Sequence, residues 1–140
     1  MNYKSNINFP IVDSDFIPET GFSYVTIATP IGRFSGTARV HPEDLNEGRC
    51  SRFSGQTLAH YRAFVDYLKL DKQLKMFAYQ EMLRTWCTAK KKNPTSEAMK
   101  QRLAELHAEI TDDRRAIQDM RGIIRDFIAG IDKYYQAKNK

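Results

Sequence analysis

Long apolar runs are missing from this chain of 140 residues. No stretch approaches the ~20 consecutive apolar residues that a membrane-spanning helix requires, which excludes a bundle of such helices. Cysteine is scarce as well. Cys50 and Cys87 are the only two, and no short Cys/His spacing points to zinc. Two buried or inert thiols in a reducing cytosol are the expected state. The opening MNYKSNINFP carries no apolar core of a secretory signal. Catalytic signatures are absent too: there is no G-x-S-x-G, no P-loop, no H-E-x-x-H and no dinucleotide fingerprint. His41, His60 and His107 fall on three different expected elements and read as surface or packing residues. The expectation is a non-enzymatic protein with no metal and no cofactor.

What the chain does contain is patterned apolar sequence. From 95 to 137 a seam reads Met99, Leu103, Leu106, Ile110, Asp113, Ile117, Met120, Ile124, Phe127, Ile131, Tyr134. The steps alternate four and three, the 3.5-residue period of a helix packed along another helix. Ahead of it, Leu58, Tyr61, Val65, Leu68, Met76, Tyr79, Leu83 and Trp86 form a second seam from about Thr57 to Thr88. One extra four-residue step falls at Lys72, where a stutter would unwind the supercoil locally. Asn93 is a good N-cap with Pro94 behind it, and Glu97 suits the first turn of the following helix. The tail QAKNK is expected to fray.

The N-terminal third has a different period. Tyr24-Val-Thr-Ile-Ala-Thr29 is β-branched and aromatic, as strands prefer. Pro30-Ile31-Gly32 supplies a turn, and Arg33–Val40 returns as a second strand. Gly36 inside it points to a bulge or a close backbone approach. Pro42 ends the strand, residues 45–56 read as a loop, and the first twenty residues read as an arm or short edge strand. The expected fold is therefore α+β, in a single domain. A small N-terminal antiparallel β-hairpin or sheet (1–56, with its arm) precedes two long antiparallel helices (57–140). Phe77, Met82, Ile123 and Ile128 lie off both seams and want a second surface, so a homo-oligomer packed through the helices is expected.

Charge is unevenly placed. Residues 1–47 hold three basic and six acidic side chains, residues 48–92 ten and three, and the remainder nine and eight. A basic middle beside a balanced helix points to a local anion site, or else to a solvated lysine face. Asp112-Asp113 beside Arg114-Arg115 look like helix-surface ion pairs. Asp113 also stands where the seam wants an apolar residue, so it either fixes register with an arginine partner or marks a wet opening. Met120, Arg121, Gly122 and Arg125 form a further cluster. Arg121 and Arg125 are one turn apart and could grip a phosphate bidentately, or be solvated or paired with an acid on another helix. Trp86 beside Asn93 could stack and hydrogen-bond a base, or simply cap the helical hairpin. Arg33, Gly36 and Arg62 make a third possible anion site.

The stretch YVTIATPIGRFSGTARVHPEDL followed by SRFSGQTLAHYRAFVDYLK carries T-P-x-G-R-F-x-G, an H-P-E-D turn and a helix opening with A-x-x-R-A. With two long helices after it, the chain resembles the first type of Thoeris anti-defence protein, phage sponges that sequester a cyclic ADP-ribose immune signal. The resemblance implies a sheet head, a helical-pair tail, dimers that can assemble into hexamers, and no catalysis, in the cytoplasm of an infected bacterium. By residue type it also implies that Trp86 and Asn93 grip the base and that Arg121 and Arg125 hold phosphates; Arg114 and Met120 on the same helix are further ligand-binding candidates. Arg33, Gly36 and Arg62 become candidates for a separate cyclic di- or trinucleotide site. A basic nucleic-acid-binding phage regulator and a coiled-coil inhibitor of a host protein remain as alternatives.

Overall fold

The computed structural model describes residues 9–39, 52–89 and 97–138. Three antiparallel strands come first: β1 (Ile11–Ile17), β2 (Phe22–Thr29) and β3 (Gly32–Arg39), in the spatial order β1-β2-β3. Two long helices follow, α1 (Arg52–Ala89) and α2 (Glu97–Lys138). The architecture is the α+β arrangement expected, with the N-terminal arm realised as an edge strand. No helix among the described residues is long and apolar enough to cross a membrane.

The strand periods explain the sheet. In β2, Ser23, Val25 and Ile27 are buried while Phe22, Tyr24, Thr26 and Ala28 are half-buried. That alternation is the mark of a strand with one face on a core. The β2–β3 register runs without a slip from Phe22↔Arg39 to Thr29↔Gly32. The sheet's irregularity lies instead in β1, between Ile11 and Asp13. The 17–22 turn closes through Gly21 N–H donating to the Ile17 carbonyl at 2.8 Å, with Gly21 at φ 68°. Such a left-handed backbone is open to glycine at no steric cost.

Gly36 marks a close approach, as one of its two readings had it. A Cβ there would run into the backbone carbonyl of Ala59 and the amide of Ala63. The helix stripe facing the sheet is Gly55, Ala59 and Ala63, one turn apart, and Gly55 sits directly over the Ser23 side chain. Small residues on both layers let helix and sheet backbones nearly touch. This corrects the expected loop: α1 begins at Arg52 rather than Thr57, so Ser54 and Gly55 are helical residues and not turn formers. The core beneath is Val25, Ile27, Ala38, Ala59 and Ala63, flanked by Phe9, Phe34 and Leu58. Phe9, Phe34, Phe64 and Tyr67 extend it as an aromatic cluster with centroids 4.8–6.3 Å apart.

The chain divides into two units. One comprises the sheet, α1 up to Tyr67 and α2 from Gln118; the other is Leu68–Ile117. In the first, Tyr61 of α1 meets Phe127 of α2 edge-on at 5.8 Å. In the second, the seam is packed as expected, with Leu103, Leu106, Ile110 and Ile117 buried. There Lys75 reaches Asp113 and Tyr79 reaches His107, so the helices run antiparallel. The helix α2 continues to Lys138, so the tail is helical further than expected. Pro42, Asn93 and Pro94, and the termination and capping assigned to them, lie outside the described residues.

Candidate functional site

Arg121 and Arg125 project from one exposed face of α2 in the first unit. Residues four apart on a helix stand above one another, about 6 Å between Cβ atoms. Arg121 has no ion pair or hydrogen bond among the described residues. Arg125 has a single contact, Nε to Asp126 Oδ1 at 3.8 Å, with both side chains about four-fifths exposed. An ion pair that wet and that long contributes almost nothing. Two guanidiniums are thus left with unused donors on adjacent turns. Gly122 between them faces open space: a Cβ there would meet nothing nearer than Arg125 Nη2 at 3.9 Å. Crowding within the chain therefore does not require glycine here, and the position is free for a close approach from outside.

The other expected site residues are distributed differently. Met120 is fully buried in the seam and packs rather than offering a side chain to a ligand. Arg114 is exposed in the second unit, where Trp86 is half-buried on α1. Asn93 lies outside the described residues. Gly36 and Arg62 are brought together at the junction of α1 and β3, and Arg33 does not join them. Gly36 is covered by α1, whereas Arg33 alternates to the opposite face of β3. Arg62 Nη1 donates to the carbonyl of Thr37 at 2.8 Å, tying α1 to the edge of the sheet. Cys87 is a free, exposed thiol, so of the two expected states, buried or inert, burial does not apply to it. Cys50 and His41 lie outside the described residues.

The partner of Asp113 is the main correction at the side-chain level. An arginine was expected, and the structure supplies Lys75, whose Nζ lies 3.4 Å from Asp113 Oδ2 and 2.6 Å from Asp71 Oδ2. Asp113 is only 7% exposed, so it is not part of a surface ion-pair network with Arg114 and Arg115. Burial pushes the Asp113 carboxyl up to about 7, helped by its hydrogen bond to Asp71 and that neighbour's charge, and opposed by Lys75. Burial also raises Asp71, but hydrogen bonds from Asp113 and Lys75 outweigh it and hold Asp71 below its ordinary value. Below about pH 7, where Asp113 keeps its proton, the three groups share one proton and one positive charge across the helix pair. This cluster was not legible beforehand, because Lys72 and Lys75 look alike on a charged helix face.

Comparison with protein-family models, with curated proteins and with solved structures finds no match to this chain. The functional reading accordingly rests on the residues themselves. A cleft of about 190 Å³ lies between β1 and α1, lined by Ile11, Ser14, Val25, Gln56, Thr57 and His60. No arginine is among these lining residues. No group of three His, Cys, Asp or Glu residues suited to a metal ion occurs among the described residues.

Proposed function

We propose that this protein is a phage-encoded sponge that binds and sequesters a cyclic nucleotide immune signal, a cyclic ADP-ribose isomer, without altering it. The observation that carries the reading is the Arg121–Arg125 pair: two exposed guanidiniums one turn apart, engaged only by the long, wet contact of Arg125 to Asp126 among the described residues, beside a glycine open to the outside. Guanidiniums so arranged suit a pyrophosphate, which each can grip through paired N–H donors. The T-P-x-G-R-F-x-G and H-P-E-D motifs support the same reading by resemblance. Sequestration asks for affinity and abundance, and no reacting group.

The test is incubation with cyclic ADP-ribose isomers, removal of free ligand, heat denaturation, and chromatography of what is released. Intact recovered ligand is the expected result. A cleaved product would make the protein an enzyme, and no depletion would sink the proposal. Arg121→Glu with Arg125→Glu is expected to abolish retention while leaving the melting curve unchanged, since both side chains are exposed. A second reading, a helix-mediated inhibitor of a host protein, draws on Phe77, 64% exposed on α1 with Leu74 one turn before it. Stoichiometric capture of a host protein, undiminished by Arg121→Glu, would favour it.

A further inference from the structure

The two outer strands of the sheet differ sharply in charge. In β1, Asp13 and Asp15 are exposed; in β3, Arg33 and Arg39 are exposed. The registers place all four on the same face. Asp13 aligns with Thr26 and through it Ser35; Asp15 aligns with Tyr24 and through it Thr37. Arg33 and Arg39 stand two residues beyond Ser35 and Thr37, bracketing the rows that hold the acids. Neither Arg33 nor Arg39 has an ion pair or hydrogen bond among the described residues. Among the described residues Asp13 accepts from the Tyr24 hydroxyl at 3.4 Å, and Asp15 accepts from the Phe16 N–H of its own strand at 2.8 Å, a local bond that an arriving strand would replace.

β1 is also poorly covered for a strand. Ile11, Val12 and Ile17 are 51%, 44% and 39% exposed: Ile11 borders the cleft against α1, and Ile17 lies on the sheet face away from the helix. Its outer edge has no strand neighbour among the described residues. An edge with unpaired backbone groups and apolar side chains is a template for another strand.

We propose that β1 of one copy pairs with β3 of a second copy, continuing the sheet head to tail. Both strands run antiparallel to β2, so they are parallel to each other. A copy displaced by three strand spacings, about 14 Å, sets β3 beside β1 with the helices on a common face. Without any shift of register, the Ser35 and Thr37 hydroxyls of the second copy lie opposite Asp13 and Asp15. Arg33 and Arg39 then lie diagonal to the same two carboxylates, about 7–8 Å away at the backbone and within reach of a long side chain. Four polar matches follow from one placement. Pairing β1 with β1 sets Asp13 against Asp15 or against itself, which like-charge repulsion disfavours. Arg62 holds the Thr37 carbonyl in the single chain, and this half-buried side chain gives way when the strand arrives.

This assembly is independent of the nucleotide reading and is tested by mass. Wild-type protein is expected to grow beyond a dimer with concentration in light scattering, since a head-to-tail contact does not close at two. Asp13→Arg with Asp15→Arg, and separately Arg33→Asp with Arg39→Asp, should each weaken assembly at least tenfold. Mixing the two variants one to one should restore it, because each then offers the charge the other lacks. A wild type that stays at 16.2 kDa at every concentration overturns the proposal. So does an oligomer whose mass ignores the β3 substitutions, which would place assembly on the helices or on β1 alone.

Discussion

Asp113 shows how much one side chain can carry. Its carboxyl is raised to about 7 in the folded protein against 3.8 ordinarily. Between those values the folded state holds a proton that the unfolded chain has released. The resulting stability is fully present below about pH 4 and is lost as pH rises through about 7. Asp71, held low, acts oppositely and only under more acidic conditions. Asp113→Asn should remove the slope between pH 4 and 8 and be neutral or stabilising at pH 8. Denaturant midpoints measured across that range check it; a wild-type stability that rises from pH 5 to 7 contradicts the shared-proton geometry. Ser23 offers a simpler case. Its hydroxyl is fully buried with no hydrogen-bond partner among the described residues. An orphaned buried hydroxyl costs ~1–3 kcal/mol, so Ser23→Ala is expected to hold or raise the melting temperature.

At the scale of elements, α1 has two faces with different rules. One is the seam of Val65 and Leu68; the other is the small-residue stripe Gly55, Ala59 and Ala63 under the sheet. The seam was legible because its period is a local property of the sequence. The stripe was not, since alanines one turn apart occur on many helices and gain meaning only when a sheet lies against them. Gly36 was legible as an anomaly in a strand, yet whether it marked a bulge or a close approach was decided by α1. Gly36→Ala should destabilise by about 2–3 kcal/mol, because rigid backbone and not a flexible side chain occupies the space. Gly122→Ala, by contrast, faces open space and should gain roughly 1 kcal/mol from helix propensity alone. Paired denaturation curves for the two alanine variants separate these roles; equal effects would contradict the assignment.

For the whole molecule, the open question is what its uncovered surfaces meet. The acidic β1 and basic β3 predict an assembly driven partly by charge, and such contacts weaken as the Debye length shortens. Raising salt from about 0.05 to 0.5 M should lower the scattering mass if the strand edges carry assembly. Contacts through Leu74 and Phe77 would hold or strengthen instead, since apolar burial is not screened. Nucleic-acid binding predicts a different response, a steep fall of affinity with salt in a mobility shift and little change in protein mass.

The amino-acid sequence by itself determined the element types, the order sheet then helices, the two helix seams and the oddity at Asp113. Each of these follows from side-chain spacing of two or about 3.5 residues, which neighbours along the chain express without help. Tertiary structure alone decided which helix face meets the sheet, that the first strand is a thinly covered edge, and that Gly36 lies buried while Arg33 faces away. It also decided that Lys75, 38 residues from Asp113, and no arginine, neutralises the seam. Burial and charge pairing depend on distances across space, and spacing along the chain does not encode them.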